Sequence, residues 1–234
     1  MSRREQRSAR RIEAAERYVE RLSNAFGIVL LLVLATYVAA SLTKYSGWSA
    51  VVVSILGCTT STVALASSGI REKLLRAAIA LAGVCVALAV VAAATERDGA
   101  LGIAALIQIL LLAWGAGTVL RAVLHEEKVG FRTILGAISV YLIFGLLFAS
   151  LYVAVDRLQA GAFFDPVTQL DTGDYVFFSF TTLTTTGYGN LVPGGQPGKM
   201  FSVLEMLLGQ IFLVTLIAGL VSLWRPGRFV PRDE

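Results

Sequence analysis

The stretch SFTTLTTTGYGNLVPGG, residues 179–195, sits in a chain of 234 residues that is 56% hydrophobic. Five threonines and two glycines crowd into its first eleven residues, where an apolar chain would be expected to run on unbroken. A short apolar segment, 174–185, leads into it, and Pro193 and a long apolar run, 200–224, follow. Further runs lie at 26–42, 49–68, 74–94, 100–120 and 133–155. Each is close to the ~20 residues that cross a hydrocarbon core as helix. With the strongly positive mean hydropathy, these runs predict an all-α membrane protein of six transmembrane helices. The 174–185 segment is too short to cross and reads as a re-entrant helix, a form tolerated only where protein or water surrounds it.

The net charge of +4 follows membrane topology rather than nucleic-acid binding. With the N-terminus inside, sixteen of the twenty Lys and Arg residues fall in cytoplasmic segments, leaving Lys44, Arg97, Arg157 and Lys199 outside. That asymmetry requires an even number of crossings, with both termini cytoplasmic in a plasma or bacterial inner membrane. Residues 1–25 read as a basic cytoplasmic or interfacial helix, 26–125 as a four-helix block, 131–225 as a second unit, and 226–234 as a short tail. The charged residues ahead of the first apolar run are too many for a signal peptide's n-region. The few residues after Trp224 lead to the expectation that no ligand-binding domain follows.

Cys58 and Cys85 lie inside expected spans as small core residues, and His125 is a lone loop histidine. No Ser/His/Asp, metal or phosphate-cradling constellation is visible, so the chain reads as a non-enzyme with no cofactor. A secondary transporter would show paired repeats of interrupted helices, and no internal repeat is evident. A central pathway would therefore be built from copies of the chain.

The quoted stretch suits a different task. Backbone carbonyls aimed at a common axis replace water around a cation without a charged side chain in the path. Successive carbonyls face one way only if the backbone leaves ordinary strand geometry. Glycine at alternate positions, here Gly187 and Gly189, permits that at little steric cost. Thr185 adds a hydroxyl below the carbonyls, and Tyr188 turned outward wedges the loop against Phe177 and Phe178. Asp171, Thr172 and Asp174 are good caps for the short helix, whose carbonyl end then favours a cation below the loop. Asp156, Asp165, Asp171 and Asp174 make the outer loop acidic; for Asp165, a solvated loop position accounts for the residue equally well.

The segment TLTTTGYGNLVP resembles the signature of potassium channels, in order, in its aromatic-rich preceding helix and in the spanning helix after it. The resemblance implies K+ ions as permeant ligand, held in a fourfold ring by the carbonyls of Thr185, Thr186, Gly187 and Tyr188, with Gly189 completing the filter 185–189. It implies a homotetramer, an outer helix 133–155, a pore helix 174–185 and an inner helix 200–224. Thr181 and Asn190 support the filter. Thr186 stands where Val is usual and Asn190 where Asp is frequent, so a weakly selective cation channel or a non-conducting channel-like subunit are the alternative readings.

Glu205, an acid in an apolar helix, calls for a partner or a proton: it sits either behind the loop, bonded to the short helix or to Tyr188, or on the pathway itself. Gly209 stands where related channels place a hinge glycine, and it serves either bending or close packing. On the family's helix faces, Gln210, Leu213 and Ile217 line the cavity, and Ile217 or Val221 narrows its inner end. Six spans ending in a pore resemble the voltage-gated plan, but the fourth span has Gln108 as its strongly polar side chain and no repeated arginines. Each sensor charge supplies about 2.3 kcal/mol per 100 mV, so little voltage dependence is expected, and opening is left to the first block, the inner-helix bundle, the filter, or an unknown gating partner or ligand.

Overall fold

The structure, a computed structural model, describes residues 27–40, 42, 48–67, 70–125, 130–165 and 170–223. The expected basic helix 1–25 and tail 226–234 lie outside these. Among the described residues the secondary structure is helical, without strands; an isolated bridge joins Phe164 to Pro193. Helix α1 covers Gly27–Ala40. It is followed by α2 (Trp48–Ser67), α3 (Glu72–Thr95), α4 (Asp98–Leu124), α5 (Phe131–Leu158), α6 (Thr172–Leu183), α7 (Gln196–Phe212) and α8 (Ala218–Leu223). A π-helical turn, Leu213–Ile217, joins α7 to α8 without a break in the helix.

Five helices are long and apolar enough to cross a membrane among the described residues: α2, α3, α4, α5 and the continuous α7–α8. Six were expected. Of the run 26–42, Gly27–Ala40 and Leu42 are helical, and residues 26 and 41 lie outside the described residues. The short segment starts two residues earlier than 174–185 because Asp171 caps it, and it stops two residues earlier because the chain turns back after Leu183. The Asp174 amide donates to Asp171 Oδ1 at 3.1 Å and the Asp171 amide to Asp174 Oδ2 at 2.9 Å, a reciprocal capping box.

Helices α2, α3 and α4 pack on one another, α4 runs along α5, and α5 carries α6 and α7. The α2–α3–α4 seam is built on small side chains: Cys58 of α2 and Ala78, Ala82, Cys85 and Ala89 of α3 are all buried there. The hydroxyl run of α2 is satisfied within its own helix. Thr59, Thr60, Ser61 and Thr62 each donate to the carbonyl four residues back, which lets them sit in an apolar setting. The aromatic cluster of Tyr152, Phe163, Phe164, Tyr175 and Phe178 fills the space between α5, α6 and the loop that joins them.

Candidate ion-conduction site

Helix α6 lies against α5 at unusually close range. A side chain on Gly145 would meet the Phe180 ring at 2.7 Å, and the Ser179 hydroxyl reaches the Gly145 carbonyl at 2.7 Å. Of the acidic residues in the outer loop, Asp171 and Asp174 are used as caps. Asp156 accepts from the Tyr175 hydroxyl at 2.6 Å and from the Phe163 amide at 3.1 Å, so it anchors the loop. Asp165 is exposed.

The chain leaves α6 at Thr184 and turns back on the helix it has just left. The Thr185 amide donates to Thr182 O at 2.9 Å, and the amides of Thr186 and Gly187 both donate to Thr181 O, at 2.8 and 3.1 Å. From there φ is positive at Thr185 (57°), Gly187 (53°) and Gly189 (78°). Thr186 and Tyr188 between them stay in the ordinary range. Alternation of left- and right-handed residues rolls successive peptide planes the same way, which a uniform strand cannot do. The glycines adopt it freely. A β-branched residue in that region is strained, so Thr185 is the position the sequence pattern does not reveal.

Residues 184–190 are all exposed on the single chain. Tyr188 stacks on Phe177, centroids 5.8 Å apart and planes 15° apart. Phe178 does not join them: it packs on Tyr152 at 5.0 Å and Phe164 at 4.9 Å, on the other side of α6. The Thr181 hydroxyl is turned to Phe178 O at 3.0 Å, leaving its carbonyl to the two loop amides. The hydroxyls of Thr184 and Thr186 lie 2.9 Å apart. Asn190 is exposed at the outer end of the loop.

Glu205 is wholly buried. Its carboxyl group meets the Ser179 hydroxyl of α6 and, at 2.5 Å, the Tyr152 hydroxyl of α5, rather than Tyr188. One acidic side chain of α7 therefore ties α5, α6 and α7 together. Ser179 and Tyr152 were not singled out as site residues; an acid in an apolar helix signals that a partner exists but not where. The inner helix contacts the end of α6 through Gly209, where a side chain would meet Leu183 O at 2.4 Å. The Tyr141 hydroxyl donates to that same carbonyl at 3.2 Å. Gly209 thus lies in regular α-helix at a close contact, and the helical irregularity comes later, at Leu213–Ile217. Gln210 is exposed, with Nε2 at 3.5 Å from the Thr185 hydroxyl, the long limit of a hydrogen bond. Leu213 and Ile217 are half-buried and Val221 is exposed.

The segment 136–225, 90 of the chain's 234 residues, matches a family model described as an ion channel. It is an ion-channel domain. The channel domain is similar over short stretches to named potassium channels. The mouse and human potassium channel subfamily K member 10 are 40% identical over 50 residues, 21% of this chain and 9% of theirs. The rat subfamily K member 2 is 40% identical over 53 residues, 23% of this chain and 12% of its own. The human voltage-gated delayed rectifier potassium channel KCNH5 is 34% identical over 50 residues, 21% of this chain and 5% of its own. The aligned stretches are thus a small part of each of these relatives. No solved structure matches the chain. The family is one of channels rather than enzymes, in a membrane protein.

Proposed function

We propose that the chain is one subunit of a homotetrameric potassium channel that passes K+ passively through a ring of backbone carbonyls. The observation that carries this reading is the alternation of positive φ at Thr185, Gly187 and Gly189, on a loop pinned to the end of α6. It suits a column of carbonyls from Thr185 to Tyr188 aimed one way, with K+ as the transported ion. The exposure of residues 184–190 supports assembly, because such a loop makes a pathway only when copies face one another. The apolar residues exposed along α7 and the π-helical turn, among them Val203, Leu207, Ile211 and Val214, support it too. In this arrangement α6 re-enters the bilayer from outside, α1 completes six crossings, and both termini are cytoplasmic in a plasma or bacterial inner membrane. Helix α4 has Arg121 near its C-terminal end as its only basic residue, which supports conduction with little voltage dependence and an opening stimulus from an unknown ligand or partner.

A weakly selective cation channel is the second reading, favoured by the contact of the Thr184 and Thr186 hydroxyls behind the loop. Flux through the purified protein in liposomes, K+ against Na+ across a range of voltages, tests both. Potassium-selective flux with a flat voltage response is expected. Equal Na+ flux moves the conclusion to the second reading, and no flux of either ion under any stimulus tried counts against both.

A further inference from the structure

Between the first block and the channel domain lies a pocket of about 30 Å³, walled by α2, α4, α5 and α6. Its apolar wall includes Val53, Ala105 and Leu146, and its polar groups include Gln108 and Ser54. Both are 5% exposed, and neither hydrogen-bonds another protein group among the described residues. Such a pair is unusual in a membrane interior, where a buried polar group without a partner is costly. Neither side chain is there by default. Ser54 does not donate back into its own helix, as Thr59, Thr60, Ser61 and Thr62 do. The amide of Gln108 lies over Gly57, where any side chain would come within 2.2 Å of Nε2. The glycine on α2 makes room for an amide on α4, and the amide borders the pocket.

A space of that volume holds about two water molecules, or one molecule of roughly three non-hydrogen atoms. With an amide and a hydroxyl on its wall and aliphatic groups elsewhere, it suits a small neutral molecule carrying a hydroxyl. We propose that this pocket is a binding site for a small hydroxylic ligand, occupied by water or, in its place, by one short-chain alcohol, with Gln108 and Ser54 as its hydrogen-bonding groups. Tyr175 and Val176 of α6 form part of the wall, so the occupant touches the helix that carries the conduction loop as well as the first block.

Two measurements on the purified full chain in detergent test this without requiring conduction. The first is saturation-transfer NMR with ethanol and 1-hexanol. A saturable ethanol signal is expected that hexanol cannot displace, that falls at least severalfold in Gln108→Leu, and that falls likewise in Ser54→Ala, the milder change. The second is a nuclear Overhauser effect between water and the Gln108 side-chain amide without alcohol, which identifies water as the resident source of the hydroxyl. Gly57→Ala, which displaces the amide, should abolish both signals. Ethanol transfer that is non-saturable and equal in wild type and variants, with no water contact at Gln108, overturns the proposal. A water contact alone sustains the site and rejects the alcohol. Because the readouts are of binding, a chain that passes no ions leaves them intact.

Discussion

Replacing Gly209 by alanine sets the two readings of that glycine against each other with opposite signs. A hinge glycine in a helix is an entropic weakness, so alanine there stiffens the helix and adds about 0.5–1 kcal/mol of stability. In this structure the new Cβ would instead lie 2.4 Å from Leu183 O and 3.0 Å from Leu183 Cδ1. Ordinary contact begins near 3.4 Å, so the carbonyl would have to retreat by about 1 Å, which a close-packed interior resists. It has little freedom to do so, since Tyr141 donates to it and the conduction loop begins at the next residue. Overpacking of this kind costs about 1–3 kcal/mol. Gly209→Ala is therefore expected to lower the denaturation midpoint of the purified protein and, through the displaced loop, its K+ flux together. An unchanged or raised midpoint with flux altered only in how often the channel opens would refute the packing argument and restore the hinge.

Tyr152→Phe keeps the ring among Phe163 and Phe178 but removes a donor from buried Glu205. It should cost about 1–3 kcal/mol in unfolding measurements, and coupling to Ser179→Ala in a double-mutant cycle should exceed about 0.5 kcal/mol. Phe177→Ala removes the ring on which Tyr188 stacks, a contact of about 0.5–1.5 kcal/mol, and should lower the K+ to Na+ flux ratio in liposomes while leaving the helical content seen by circular dichroism unchanged. Thr186→Val deletes the hydroxyl that meets Thr184 and should sharpen that ratio, read as a shift in reversal potential. Asp171→Ala removes the cap of α6 at a cost of about 0.5–2 kcal/mol, seen as a lower thermal midpoint.

The channel half was legible because its signals are local. The glycine alternation, the capping acids and the apolar run after Pro193 all lie within a few dozen residues, and each has its own physical reason. What escaped is what depends on approach between distant segments. Glu205 announces a need for a partner, but Tyr152 lies 53 positions away and offers no mark of its own. Gly209 looks the same in sequence whether it bends or packs. Phe177 and Phe178 are adjacent, and only the placement of α6 on α5 decides that one faces Tyr188 and the other the aromatic cluster. Thr185 in the left-handed region is invisible to propensity, since a β-branched residue is the last one would assign there. Gln108 stood out as polar in its span, whereas its vacant hydrogen-bonding capacity and the glycine that accommodates it appear only in three dimensions.

The double acceptance by Thr181 O has a mechanical meaning. Because the amides of two successive loop residues share one carbonyl of the final helical turn, rotating either peptide plane strips a bond from the helix as well as from the loop. The loop is therefore no independent spring: α6 and the first half of the loop move as one stiff lever, with Glu205 gripping its midpoint and Gly209 bearing on its tip. A stimulus that tilts α6 by a small angle would shift the carbonyl column bodily before it distorted it. The residues after Gly187, which lack such ties to the helix, are where compliance would first be felt.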